Sequence, residues 1–134
     1  MMPNQVLVDT DVLVDYLRDY PLAVDYLEGL ATIPSVSVLT VAELFAGVRE
    51  GKERKSLETL LETLQIVPLE EKTAKLGGLW LRDYSKSHGV GLADAMIAAT
   101  AKLQGCTLVI LNTKHFPMLT TVLSPYQKKI SEPS

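Results

Sequence analysis

The stretch Leu7-Val8-Asp9-Thr10-Asp11-Val12-Leu13-Val14-Asp15 decides the fold. Val6 to Val8 is a short apolar run without alternation, as in a strand buried on both faces. It stops at Asp9, and Val12, Leu13, Tyr16 and Leu17 then fall at helical spacing. A strand that feeds directly into a helix signals an α/β chain, in which ligands gather beyond the carboxyl ends of the strands. Asp9 stands at that edge.

The same alternation continues outward. The first helix is expected to run to about Asp19, and Pro21 suits the first turn of a second helix that closes near Gly29. Ser35 to Leu39 reads as a second strand, and Thr40 as the opening of a helix carrying Val41, Leu44, Phe45 and Val48. Leu57, Leu60, Leu61 and Leu64 stripe a helix from Lys52 to Leu64, and a brief strand follows at Gln65 to Pro68. Leu76, Leu79, Trp80 and Tyr84 mark a long helix from about Glu70 to His88. The helix from Leu92 to Leu103 is apolar on nearly every side and therefore buried. Thr107 to Leu111 is the next strand, Phe116 to Leu119 a single helical turn, and Thr121 to Tyr126 a last short strand. The pattern predicts an α/β fold with a central, mostly parallel sheet covered on both faces. One domain is expected over residues 1–127, with 128–134 as a flexible tail.

Composition narrows the function. A chain of 134 residues with 47% hydrophobic and 22% charged residues is globular and suits one core. The formal net charge of -3 argues against broad, charge-driven nucleic-acid binding, although a local basic strip still serves phosphate contact. The single Cys106, read as a small core residue, excludes an internal disulfide and a multi-cysteine zinc site. Neither a signal segment nor a bilayer-length apolar run is evident, so a cytoplasmic protein is expected.

Three acidic residues take equivalent places in this architecture. Asp9 ends the first strand, Glu43 falls in the expected first turn after the second, and Asp94 in the first turn of the buried helix. Each has a structural explanation: Asp9 as a helix cap, Thr40-Val41-Ala42-Glu43 as a capping box, Asp94 as an acid favoured by the helix dipole. Together they describe acids aimed at one sheet edge amid apolar neighbours. Convergent carboxylates repel by roughly 4 kcal/mol per pair at 4 Å in an effective dielectric of 20. A hard divalent cation such as Mg²⁺ or Mn²⁺ removes that cost and activates water at a phosphodiester. No Ser-His-Asp pattern or phosphate-cradling glycine loop competes.

At this point four segments resemble the PIN-domain ribonucleases, and among them the VapC-type toxins of toxin–antitoxin pairs. They are Leu7 to Arg18, Thr40-Val41-Ala42-Glu43-Leu44-Phe45-Ala46-Gly47, Leu92-Ala93-Asp94-Ala95-Met96-Ile97-Ala98-Ala99-Thr100-Ala101, and Asn112-Thr113-Lys114-His115-Phe116. The resemblance implies a three-layer αβα sandwich and Mg²⁺- or Mn²⁺-dependent endoribonuclease activity. It implies Asp9, Glu43 and Asp94 as metal ligands and catalytic acids, with Asn112 supporting them where the family often carries Asp. Ile110 stands where the family often has Thr or Ser. Thr40 is expected to contact metal-bound water or the scissile phosphate.

Arg49 and Lys52, in the basic run from Arg49 to Lys55, are the expected phosphate contacts. Asp11 is read as secondary, Asp15 as a surface or hydrogen-bonding residue, and His115 as a packing or capping residue. The expected protein is a metal-dependent endoribonuclease toxin, a homodimer, with RNA as substrate and a cognate antitoxin as partner. Two alternatives stand beside it. One is a haloacid-dehalogenase-like phosphatase using Asp9-Thr10-Asp11, and the other a non-catalytic PIN-fold module that binds RNA or protein.

Overall fold

The computed structural model describes residues 5–128. β1 (Val6–Val8) leads into α1 (Thr10–Leu17), followed by α2 (Pro21–Glu28), β2 (Ser35–Ser37), α3 (Val38–Ala46) and α4 (Lys52–Glu62). Then come β3 (Gln65–Val67), α5 (Glu71–His88), α6 (Leu92–Gln104), β4 (Thr107–Val109), a 3₁₀ turn (Thr113–His115) and β5 (Val122–Leu123). The strands form one sheet in the order β3-β2-β1-β4-β5. Every neighbouring pair is parallel, with Leu7 opposite Ser35 on one side and Leu108 on the other.

Successive strand residues point to opposite faces, and the sequence uses both. Val8, Val36 and Val109 pack with Val12, Leu13, Leu44 and Leu57, so α1, α3 and α4 contribute to one face, joined by Ala23 of α2. Leu7, Leu108 and Ile110 pack with Ile97, Ala98 and Ala101 of α6, with Trp80 of α5 against them. Two apolar clusters on either side of one sheet make the expected three-layer sandwich. No helix among the described residues is long and apolar enough to cross a membrane.

Local chemistry sets the boundaries. Ser37 accepts a hydrogen bond from the Leu39 N–H at 3.1 Å and caps α3, so the helix begins at Val38, two residues earlier than expected. The capping box at Thr40 therefore does not form, and Glu43 lies beyond the first turn. Gly89 (φ 65°) and Gly105 (φ 66°) end α5 and α6 in the left-handed conformation that glycine adopts without strain. The helical turn near the end falls at Thr113–His115 instead of Phe116 to Leu119. Cys106 is half-buried against the α6-side cluster.

Of the two roles expected for Asp15, surface or hydrogen-bonding, the structure gives the second. Asp15 is buried, accepts a hydrogen bond from the Tyr126 hydroxyl at 2.8 Å and pairs with Lys128 at 2.5 Å. Lys128, the first residue of the expected tail, is thus fastened to α1. Residues 129–134 of that tail lie outside the described residues.

α5 and α6 approach closely at Gly77, where a Cβ would fall 2.6 Å from Met96 Sδ and 3.2 Å from the Ala95 carbonyl oxygen. At Gly78 a Cβ would meet nothing within 4 Å. Gly77→Ala is expected to destabilise by about 1–2 kcal/mol, overpacking outweighing the gain in helix propensity. Gly78→Ala is expected to stabilise by about 0.5–1 kcal/mol. Urea unfolding of the two variants side by side checks the contrast.

Candidate active site

The sheet order places β1 between β2 and β4, and the chain runs outward from β1 in both directions. The crevice beyond the carboxyl ends of β1 and β4 is therefore the topological switch point, where α/β sheets gather ligands. Asp9 follows β1 there, and its backbone N–H donates to the Val109 carbonyl at 2.9 Å. Asp9 occupies the N-cap position of α1, yet its side chain makes no capping hydrogen bond. The helix-cap explanation fails for this residue.

Asp9 is only 8% exposed. Burial pushes its carboxyl up to about 7, and the charges of Asp11, Asp94 and Glu43 push the same way, against the easing effect of the Thr10 N–H. Asp94 is also raised, first by burial. His115 opposes that shift, with Nδ1 3.5 Å from Asp94 Oδ2. Asp9, Glu43 and Asp94 thus lie within electrostatic reach of one another, and Asp11 belongs with them.

Glu43 differs from the other two. It is exposed, not set amid apolar neighbours, and its Oε1 accepts a 2.6 Å hydrogen bond from the Thr10 hydroxyl. Among the described residues, no group of three or more His, Cys, Asp or Glu side chains is already closed around a point that suits a metal ion. The donor set nevertheless fits a hard cation: all oxygen, strongly negative, with one member held largely out of water. Asp9, Asp94 and Glu43 are the residues that would hold it.

Other expected site residues take different roles. Thr40, expected to contact metal-bound water or phosphate, is fully buried, with its hydroxyl 3.3 Å from that of Thr10. Asn112 is exposed at the end of the β4 side, where its Oδ1 accepts from the Lys114 N–H at 3.2 Å and caps the 3₁₀ turn. It makes no hydrogen bond to the carboxylates. Ile110 is wholly buried in the α6-side cluster, so its position adds packing. His115, expected to pack or cap, instead faces Asp94.

Beside Glu43 opens a groove of about 1100 Å³ between α1, α3 and α4, with Arg18, Arg49, Lys52 and Lys55 among its lining residues. Arg49 faces Glu53 at 3.9 Å, and Arg54 is engaged by Glu50 and Glu58. Arg18, Lys52 and Lys55 form no ion pair among the described residues.

Comparison with known proteins agrees with this geometry. Residues 6–117 match the PIN domain family. The chain belongs to that family. The ribonuclease VapC10 of Mycobacterium tuberculosis is 38% identical to this PIN domain over 124 residues, covering 90% of this chain and 92% of that protein. VapC19 of the same organism is 37% identical over 124 residues, covering 90% of this chain and 98% of that protein. Among solved structures, a toxin–antitoxin complex from Klebsiella pneumoniae superposes with a TM-score of 0.81 at 26% identity, covering 92% of this chain and all of that one. Membership sets aside the haloacid-dehalogenase-like alternative.

Proposed function

We propose that this PIN domain is a metal-dependent endoribonuclease, the toxin of a toxin–antitoxin pair, that hydrolyses RNA phosphodiester bonds. One observation carries the reading. A buried carboxyl raised to about 7 sits at the switch point among further carboxylates, in a chain closely similar to proteins described as VapC ribonucleases. The Klebsiella neighbour is described as a toxin–antitoxin complex, which supports a cognate antitoxin as partner.

Held by Asp9, Asp94 and Glu43, a Mg²⁺ or Mn²⁺ ion would supply charge neutralisation and a more acidic water. The chain's own part is positioning. Asp9, fixed by β1 and the start of α1, and Asp94, on the first turn of α6, present oxygens from two rigid elements. Glu43 stands at the exposed side, next to the groove, where it can orient an incoming water. His115 faces the Asp94 carboxylate, with Nδ1 3.5 Å from Oδ2. Lys52 and Arg49 on the groove offer charge to RNA phosphates, a contribution that weakens with salt.

Asp94→Asn and Glu43→Gln are each expected to lower Mn²⁺-dependent cleavage of RNA by at least about 10–100-fold, because a lost ligand should cost no less than is typical of a lost supporting contact. The fold is expected to persist in both. Cleavage by either variant at the native rate under limiting metal overturns the reading. Absence of both cleavage and carboxylate-dependent Mn²⁺ binding in the native protein would favour the non-catalytic alternative. Co-purification with the product of a neighbouring small reading frame, and recovery of growth on its expression, checks the antitoxin.

A further inference from the structure

The Thr10 hydroxyl takes no part in the chemistry described so far, yet it makes a short contact to a site carboxylate. Its Oγ1 lies 2.6 Å from Glu43 Oε1 and 3.3 Å from Thr40 Oγ1. A threonine hydroxyl has one proton to give and lone pairs with which to accept. The carboxylate can only accept, so the Thr10 proton goes to Glu43. Thr40 must then be the donor in the hydroxyl pair. Thr40 is fully buried, and Thr10 supplies its proton with an acceptor.

The result is a directed chain from Thr40 to Thr10 to Glu43, which crosses from α3 to α1 and back. It opposes a definite force. Glu43 is exposed, on a flexible side chain, and its charge raises the carboxyls of both Asp9 and Asp94. Repulsion alone would turn it outward into water. The hydroxyl chain keeps it at the crevice.

We propose that Thr10 is a positioning residue that holds the Glu43 carboxylate at the mouth of the site, with Thr40 fixing the direction of its hydroxyl. The inference rests on the reading of Glu43 as a member of the metal site. It reassigns Thr40 from phosphate contact to orientation of Thr10. Neither residue touches substrate in this scheme.

The test uses Thr10→Val, which keeps the shape and removes the hydroxyl, and Thr10→Ser, which restores it. Thr10→Val is expected to weaken Mn²⁺ binding, read by calorimetry, about tenfold, in the range typical of residues that orient ligands. It is expected to lower kcat for RNA while leaving KM within about twofold, the pattern of an interaction that matters in the transition state. Thr10→Ser is expected to recover most of both losses, and Thr40→Val to reproduce part of them. In a Glu43→Ala background, Thr10→Val is expected to change Mn²⁺ affinity no further. Native affinity in Thr10→Val, or an equal loss in the Glu43→Ala background, overturns the proposal.

A metal-free experiment separates this inference from the nuclease reading. In a cycle of Thr10→Val and Glu43→Ala followed by urea unfolding, the two effects are expected to be non-additive. Additive effects reject the contact and the inference. Non-additive effects in a protein that neither binds Mn²⁺ nor cuts RNA retain the Thr10–Glu43 tether and reject the metal-site reading, and with it the role of Thr10 in that site.

Discussion

Asp9→Asn is expected to abolish RNA cleavage and, in metal-free buffer at pH 8, to make the protein more stable. Both effects follow from one carboxyl. Its folded value of about 7 stands above the ordinary 3.8 because burial penalises the charge and Asp11, Asp94 and Glu43 add to the penalty. Well below pH 3.8 the group is protonated whether the chain is folded or not, and no penalty exists. As the pH rises from about 4 to about 7, the unfolded chain loses the proton while the folded one retains it, so stability falls. Above 7 both states are ionised and the loss is complete, on the order of 4 kcal/mol at about 1.4 kcal/mol per pH unit.

Asparagine carries no such charge. The variant's stability is therefore expected to fall less between pH 4 and 7 in chelator, and to exceed that of the native protein by up to several kcal/mol at pH 8. Thermal melts across that range check the slope. Added Mn²⁺ is expected to raise the native midpoint, since an ion that binds only the folded state stabilises it, and to leave the variant unmoved. A native protein whose stability is flat from pH 4 to 7 contradicts the assignment of Asp9 as the strained member of the cluster.

The position of Asp9 was legible in the sequence because it rests on local signals. Val6 to Val8 end where helical spacing begins, and that junction alone locates the carboxyl end of a buried strand. Asp94 was equally clear, since Gly91 and an all-round apolar helix fix its place in the first turn. Glu43 was expected near Asp9 and Asp94, where the structure places it, but with the wrong local explanation. Ser37 captures the start of α3 before Thr40 can, and a serine at the end of a short strand looks like strand. The Thr10 contact lay out of view for another reason: its partner is 33 positions away, and no periodicity links the two. His115 stood next to a recognisable turn, but its approach to Asp94 depends on how β4 and α6 sit in three dimensions. A mostly parallel sheet followed from the alternation of elements, and the structure makes every pairing parallel. The switch point needed the observed order, because alternation does not say on which side of β1 the later strands are laid.

The same limit applies to Asp15, whose partners are 111 and 113 positions distant. Asp15→Ala is expected to destabilise the protein by about 2–3 kcal/mol. The cost falls below that of breaking a fully buried pair because the Lys128 side chain is 49% exposed and can return to water. The Tyr126 hydroxyl has less freedom. Tyr126 is buried, its ring stacks 5.5 Å from that of Tyr20 in a tilted arrangement, and loss of Asp15 leaves the hydroxyl to find another partner. Burial and the adjacent carboxylate already hold that phenol well above its ordinary range, so it stays a donor throughout the working pH. Asp15→Asn, which preserves an acceptor, is expected to cost less, about 1–2 kcal/mol, and Tyr126→Phe about 1 kcal/mol. These contacts tie the end of the described chain to α1, the helix whose first turn carries Thr10 and Asp11. Loosening them at one end of α1 leaves the β1 junction that holds Asp9 at the other. Cleavage per folded molecule is therefore expected to fall by less than about threefold in Asp15→Ala, while the urea midpoint drops, the reverse of the pattern expected for Asp9→Asn. A drop in cleavage matching that of Asp94→Asn, in fully folded Asp15→Ala protein, would show that the C-terminal fastening sets the geometry of the site itself.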